Sequence, residues 1–227
     1  MRGLAGRFLV VNFKAYQQAF GPQAVEIARE ASRLESRLPV RVILAPPAPL
    51  LGRVLEAHGD VYLQHVDPVG FGAHTGRLPA AAAAMLGVRG SMVNHSERKM
   101  VLRDVEAAVR ALREAGLESL VCADTPGEAA AAAYMGPTMI AVEPPELIGT
   151  GVPVSRAKPE VITASLEAVR RVDPSIPLLA GAGITSPEDA VRAVELGASG
   201  VLVASVVMKS REPPLVLRGL AEALATA

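Results

Sequence analysis

Short apolar runs alternate with longer segments of helical periodicity along the whole chain. Eight runs, many of them β-branched, are predicted as buried strands: residues 8–13, 40–45, 61–64, 91–94, 119–123, 138–142, 177–180 and 200–204. The segments between them place apolar residues three and four positions apart, which predicts amphipathic helices. Strands that alternate with helices indicate right-handed βαβ units and a parallel sheet.

Residues at the helix boundaries support this pattern. The clearest predicted helices cover residues 22–37, 104–115, 159–171 and 187–196. Pro159 and Pro187 suit the first helical position, and Ser186 is a good N-cap before Pro187. Gly116 and Gly197 are predicted to end their helices. About eight strand–helix units without a linker predict a single (β/α)8 barrel domain over residues 1–227. An open, doubly wound sheet is the alternative fold.

Composition and charge narrow the class of protein. Half of the 227 residues are hydrophobic, and 23 basic residues balance 23 acidic ones, so we expect no nucleic-acid partner. The single cysteine, Cys122, excludes an internal disulfide and favours a reducing compartment. No apolar run reaches the ~18 residues of a membrane helix, and Asn12 and Lys14 interrupt the N-terminal run too early for a signal peptide. We therefore expect a soluble cytoplasmic protein without membrane contact.

The segment 138–155 combines a buried strand, an acid and a hinged loop. Glu143 follows the apolar run 139–142, and Pro144 and Pro145 prevent the strand from continuing. The sequence Gly-Thr-Gly at 149–151 then forms a permissive tip, which is typical of a lid loop. A carboxylate at a buried strand end beneath a lid is a candidate general base. A solvated strand-end acid is the alternative.

Polar residues also follow other predicted strands. Asn12 and Lys14 end the first strand, His95 follows the fourth and Ser205 follows the eighth. In a barrel the carboxyl ends of all strands meet on one face, so these residues predict one site there. Lys14 and Asn12 could stabilise a developing oxyanion, and a neutral His95 could donate a hydrogen bond. Solvent-exposed or purely structural roles are the alternatives, and Glu97 either complements a helix dipole or orients Lys14.

The loops after the seventh and eighth strands are predicted to bind phosphate. Gly-Ala-Gly at 181–183 lacks the third glycine of a dinucleotide fingerprint, but backbone N–H groups at this position of a barrel often hold phosphate. Ala204 and Ser205 begin the eighth connection. A tight turn without a ligand is the alternative.

The remaining candidate features are given simpler interpretations. The loop 72–76 is a surface loop by default, and Cys122 is predicted as a small core residue. No metal site is predicted because the histidines lack paired spacing with carboxylates.

Three motifs resemble those of the triosephosphate isomerase family in its compact archaeal form. They are NFKAY at 12–16, NHSER at 94–98 and AVEPPELIGTG at 141–151, and GAGI at 181–184 and LVAS at 202–205 are in register. The resemblance covers essentially the whole chain. It implies a cofactor-independent isomerase of glycolysis and gluconeogenesis that interconverts dihydroxyacetone phosphate and D-glyceraldehyde 3-phosphate. It also implies that Glu143 is the base, His95 the neutral electrophile and Lys14 the oxyanion contact. The implied substrate contacts are Asn12, Phe13, Lys14, Ile148, Gly183, Ala204 and Ser205.

The sequence departs from the family pattern in two places. The lid has Pro-Pro-Glu-Leu where bacterial and eukaryotic forms have an aromatic residue, and Val206 stands where archaeal relatives often have glycine. The loop around His74 and Thr75 resembles the family's subunit-interlocking loop, which implies a homo-oligomer, with a tetramer favoured over a dimer. Two other functions stay open at this point: a Schiff-base aldolase that uses Lys14, and a non-catalytic sugar-phosphate-binding module.

Overall fold

The computed structural model describes residues 6–227, and eight parallel strands form its central sheet. They are β1 (Arg7–Asn12), β2 (Val40–Ala45), β3 (Tyr62–Leu63), β4 (Gly90–Val93), β5 (Glu118–Ala123), β6 (Met139–Val142), β7 (Leu178–Gly181) and β8 (Gly200–Val203). Their order is β2-β1-β8-β7-β6-β5-β4-β3. A parallel bridge between Leu44 and Val61 joins the two edge strands. The predicted barrel is therefore confirmed as a nearly closed ring, and the alternative of an open, doubly wound sheet is wrong.

Helices connect the strands on the outside of the ring. They are α1 (Gln23–Glu35), α2 (Leu51–Leu55), α3 (Ala80–Met85), α4 (Leu102–Glu114), α5 (Pro126–Ala133), α6 (Val154–Ala157), α7 (Pro159–Val172), α8 (Pro187–Glu195), α9 (Ser205–Met208) and α10 (Pro213–Thr226). Short 3-10 turns lie at Gln17–Phe20, Ala48–Leu50, Ser96–Arg98 and Pro145–Leu147. The four helices predicted most clearly begin and end within two residues of their expected positions.

The helix-boundary signals act as predicted. Ser186 accepts the backbone N–H of Asp189 through its hydroxyl, while the Asp189 carboxylate accepts the N–H of Ser186, and Pro187 begins the helix. This reciprocal capping box satisfies two donors that helix α8 would otherwise leave unpaired. Gly116 and Gly197 follow α4 and α8 with φ of +72° and +99°, a conformation that glycine adopts without steric cost.

The core has two layers because side chains alternate along each strand. Phe8 and Val10 of β1 point into the barrel, where they pack with residues from all seven of the remaining strands. Leu9 and Val11 point outward against the helices. Cys122 is buried in the inner layer, as predicted. The barrel interior is thus filled, which leaves its rims for polar chemistry.

Strand β3 is shorter than its predicted span of residues 61–64. Val61 forms an isolated bridge to Leu44 and accepts the N–H of Arg89 but lies before the paired residues, and Gln64 lies beyond them. Gln64 instead uses its side chain to bind the rim, as described below. Among the described residues, the helices are all too short or too polar to cross a membrane.

Candidate active site

The polar residues predicted at the strand ends lie around one pocket. Asn12 ends β1, Lys14 lies just beyond it, and His95 and Glu143 follow β4 and β6; all four line one pocket. The predicted phosphate-binding residues line the same pocket; these are Ile148, Gly183, Ala204 and Ser205. Of the residues predicted to contact substrate, the structure brings all but one together.

Phe13 is the exception. Its side chain is fully buried in the outer core, and its backbone N–H donates to Ala45 O at 3.0 Å in the ladder with β2. Alternation along β1 explains the difference, because Asn12 faces the pocket and the next residue therefore points to the helices. The side chain of Phe13 therefore points away from the pocket, and the predicted substrate contact of this residue stays a prediction.

Glu143 is a buried carboxylate without a full set of partners. The residue is 6% exposed, and its Oε2 lies 3.4 Å from Nε2 of His95 but accepts no hydrogen bond from any described residue. Burial raises the pKa of Glu143 to about 7, although the positive charge of Lys14 opposes the shift. Gly181 packs directly against this side chain, and a Cβ at position 181 would overlap with the Glu143 carboxylate group. Glycine is therefore the residue that this position accommodates.

His95 is held as a neutral imidazole. Its Nδ1 accepts the backbone N–H of Glu97 at 3.2 Å, where His95 caps the 3-10 turn Ser96–Arg98. An Nδ1 that accepts a hydrogen bond requires the proton to be on Nε2, which faces the pocket. Burial lowers the pKa of His95. The carboxylate of Glu97 acts to raise this pKa, and the ammonium of Lys14 acts to lower it.

Asn12 presents its amide N–H groups beside His95. The Asn12 Oδ1 accepts the backbone N–H of Lys14 at 2.9 Å, which directs Nδ2 to a point 3.5 Å from Nε2 of His95. Two donors thus face the same part of the pocket. Donors arranged in this way before any substrate binds are suited to stabilise a developing oxyanion.

Lys14 lies in a strained backbone conformation at the rim. Its φ is +49°, which is rare for a residue other than glycine. Its Nζ forms an ion pair with Oε1 of Glu97 at 2.7 Å, and the lysine side chain is only 11% exposed. Glu97 therefore orients Lys14, which was one of the two roles considered for this acid from the sequence.

Gln64 is a residue of this region that the sequence analysis missed. Its Nε2 donates to Asn12 Oδ1 at 3.2 Å, to Lys14 O at 3.1 Å and to Ala45 O at 3.0 Å. It thereby supports both the side chain of Asn12 and the strained backbone of Lys14. Gln64 is also a polar residue at the end of a predicted strand, but that position alone does not separate it from a residue that simply ends the strand.

The predicted phosphate loop packs against the end of the lid. Ala182 and Gly183 are consecutive left-handed residues, with φ of 71° and 70°. Val154, just beyond the lid, donates its N–H to Ala182 O at 3.2 Å, and Gly183 contacts the backbone of Val152 with no space for a Cβ. The pocket also includes Tyr16 and Thr185, which the sequence analysis did not select.

Comparison with known proteins identifies the family. The sequence model described as "Triosephosphate isomerase" matches residues 7–223. The chain belongs to the triosephosphate isomerase family. The chain is 49% identical to the triosephosphate isomerase of Archaeoglobus fulgidus over 215 residues, which cover 93% of this chain and 96% of the relative. It is 41% identical to that of Methanosarcina barkeri over 214 residues, covering 94% and 96%.

A solved structure supports the same fold. The chain superposes on a crystal structure of triosephosphate isomerase from Bartonella henselae with a TM-score of 0.71 at 22% identity, over 96% of this chain and 98% of that one. Membership of the family makes the chain an isomerase, with triose phosphates as the implied substrate class.

Proposed function

We propose that this isomerase interconverts dihydroxyacetone phosphate and D-glyceraldehyde 3-phosphate by proton transfer through an enediolate. The observation that carries the residue assignment is the juxtaposition of a buried carboxylate with one unpaired oxygen, a neutral imidazole and an ammonium group around one pocket. They are Glu143, His95 and Lys14, and they come from three different strand ends.

Glu143 removes a proton from one carbon and returns it to the neighbouring one. A group with a pKa near the working pH serves as both base and acid, and the pKa of Glu143 is about 7. Its unpaired Oε2 supports this role, since no hydrogen bond within the described residues has to break before the oxygen accepts a proton.

His95, Asn12 and Lys14 stabilise the negative oxygen of the intermediate. Nε2 of His95 and Nδ2 of Asn12 are both donors, 3.5 Å apart, so one substrate oxygen can accept from both. The ammonium of Lys14 adds fixed positive charge to the same pocket. Phe13 has no part in this proposal because its side chain lies in the core.

Backbone groups at Ile148, Gly183, Ala204 and Ser205 hold the phosphate, and the lid excludes water from the intermediate. The lid departs from the aromatic pattern of other forms, yet its Leu147 is buried against the outer core within the 3-10 turn Pro145–Leu147. We infer that Leu147 gives this lid its apolar anchor.

A Schiff-base aldolase is less compatible with the site. Lys14 forms an ion pair with Glu97, whereas a Schiff base forms only from a neutral amine. A module that only binds sugar phosphate would not require a buried carboxylate beside a neutral imidazole. Neither alternative is favoured over the isomerase.

We also propose that the chain is one domain, that it acts in the cytoplasm and that it forms a homo-oligomer, a tetramer rather than a dimer. Direct pairing of β1 with β8 supports one domain, because it joins the first and the last strand. Phe71 supports an oligomer, since it is 67% exposed in a loop that Asp67 ties to Arg77 and Leu78. Light scattering should give four times the 23.6 kDa chain mass.

The test of the proposed reaction is isomerisation in a coupled assay, with deuterium uptake from solvent measured in parallel. Wild type should convert both triose phosphates. Glu143→Asp withdraws the carboxylate by one methylene and should reduce turnover about a hundredfold. Glu160→Asp is the matched control on the exposed first turn of α7 and should behave as wild type. Absence of turnover in wild type would refute the proposal.

A further inference from the structure

The carboxylate of Asp189 makes more contacts than a helix cap requires. Asp189 lies in the first turn of α8 and is 2% exposed. Its Oδ2 accepts the N–H of Ser186 at 3.1 Å, as in an ordinary capping box. The same oxygen also accepts the N–H of Thr185 at 3.1 Å and the hydroxyl of Thr185 at 2.9 Å. Thr185 lines the pocket, so this carboxylate holds one end of the predicted phosphate loop.

The other oxygen of Asp189 is directed to the end of the lid. Oδ1 forms an ion pair with Nε of Arg156 at 2.8 Å, but the N–H of Arg156 is not aligned for a hydrogen bond, and this buried oxygen accepts none from the described residues. Arg156 belongs to α6, which begins directly after the lid. From the same helix, the hydroxyl of Ser155 donates to the backbone carbonyl of Asp189 at 3.2 Å. Two neighbouring residues of α6 are therefore attached to Asp189.

The loop Ala182–Thr185 lies between these two attachments. On one side it contacts the lid end, through Val154 N–H to Ala182 O and through the close approach of Gly183 to Val152. On the other side it is bound to Asp189. Because Ala182 is left-handed without being glycine, its conformation costs energy that surrounding contacts must offset.

We propose that Asp189 is a positioning residue for the phosphate-binding loop and that its pair with Arg156 couples this loop to the C-terminal hinge of the lid. The inference rests on the proposed function and adds to it a residue that touches neither the substrate nor the reacting atoms. Closure of the lid and formation of the phosphate site then occur together.

Substitution of Asp189 should impair only substrates that carry a phosphate group. Asp189→Asn keeps the size of the side chain but replaces one acceptor with a donor and removes the charge that pairs with Arg156. We expect the KM for D-glyceraldehyde 3-phosphate to rise about tenfold, because a small displacement of binding groups is costly. Turnover of D-glyceraldehyde, which has no phosphate, should change less than about twofold, measured as proton exchange by NMR in deuterium oxide.

Two further variants isolate the contacts. Ser186→Ala removes the half of the capping box that Ser186 Oγ makes with the N–H of Asp189, but leaves the carboxylate in place. It weakens the helix start and should leave the KM unchanged. Arg156→Met removes only the ion pair, and because Arg156 is 62% exposed we expect a rise in KM of about two- to threefold.

The outcomes separate this inference from the proposed function. If Asp189→Asn lowers turnover of both substrates equally, or if Ser186→Ala raises the KM as much, Asp189 supports only the fold and the inference is wrong. A wild-type KM in Asp189→Asn also refutes it. If Asp189→Asn does not fold, the Arg156→Met variant becomes the test. An unchanged KM for D-glyceraldehyde 3-phosphate in Arg156→Met would then refute the coupling between the loop and the lid. Failure of wild-type turnover on triose phosphates would instead refute the proposed function itself.

Discussion

Each rim of the barrel carries a glutamate at its centre of charge, Glu118 at one and Glu143 at the other, and the two carboxylates are in opposite states. At the amino-terminal ends of the strands, Arg41 binds Asp60 through two hydrogen bonds of 2.5 and 2.9 Å and Glu118 through a third of 2.6 Å. Tyr62 donates its hydroxyl to the same oxygen of Glu118. Burial raises the pKa of Tyr62, so the phenol remains a donor. The charged groups of this rim are paired with one another.

At the carboxyl-terminal rim the carboxylate of Glu143 lies 3.4 Å from the neutral ring of His95, while the ammonium of Lys14 in the same pocket is paired with Glu97 instead. The pKa of Glu143 is about 7, and its Oε2 has no hydrogen bond within the described residues. An unpaired buried carboxylate destabilises the fold, whereas a paired one avoids that cost. The carboxyl-terminal rim therefore carries a destabilising group at the site proposed for proton transfer, whereas the paired groups of the opposite rim avoid that cost.

The largest expected effect comes from removing each rim's glutamate in turn. Glu143→Gln should lower turnover by about a thousandfold or more, because a positioned general base contributes that much. Glu118→Gln is the matched change at the opposite rim, and turnover in the coupled assay should stay within about twofold of wild type. Comparable losses in both variants would mean that the two rims do not differ in function.

The second prediction concerns stability against pH. Because the folded-state pKa of Glu143 lies above its ordinary value of 4.5, the folded protein binds more protons between those two pH values. The free energy of unfolding therefore falls as pH rises from 4.5 to about 7, and the full cost above pH 7 is about 3 kcal/mol.

Glu143→Gln should remove this cost. Its free energy of unfolding, relative to wild type, should increase by about 2.5 kcal/mol between about pH 5 and about pH 8. Urea unfolding at one protein concentration measures the difference, since an oligomer's stability depends on concentration. A difference that does not vary with pH would show that Glu143 is not held in the state described.

The third prediction tests the paired rim. Arg41→Met leaves Asp60 and Glu118 without their cation in a largely buried site, so we expect a loss of about 2 kcal/mol in the free energy of unfolding. Arg192→Met removes an exposed pair on α8 and should cost less than about 0.5 kcal/mol. Turnover should be unaffected in both variants. If the free energy of unfolding of Arg41→Met equals that of wild type, the structural role proposed for this rim is wrong.

The smallest expected effect is at Gln64. Gln64→Leu keeps the approximate volume but removes the donor to Asn12 Oδ1 and Lys14 O, and kcat/KM should fall about tenfold, equal to about 1.4 kcal/mol. Gln18→Leu, on the exposed 3-10 turn Gln17–Phe20, is the control. Loss of stability with unchanged kcat/KM would make Gln64 a purely structural residue.

Much of the candidate site could be predicted because, in a parallel barrel, a residue's place at the end of a strand in the sequence also gives its place on the rim. Asn12, His95 and Glu143 each interrupt an apolar run, and parallel strands bring their carboxyl ends to one rim. Gln64 satisfied the same rule, but nothing local distinguished it from a residue that simply ends a strand. Phe13 lies within one of the motifs, but the alternation of β1 directs its side chain to the core.

Sequence alone therefore determined the number and order of strands, the main helices with their caps, and the residues that share a rim. Periodicity and capping are local, so they can be read without partners. Only the tertiary structure decided that Glu143 is unpaired, that His95 accepts from Glu97 at Nδ1, and that Asp189 connects loop to lid. Burial and hydrogen-bond geometry between residues far apart in the chain depend on how the elements pack, and these contacts set the pKa values on which the chemistry depends.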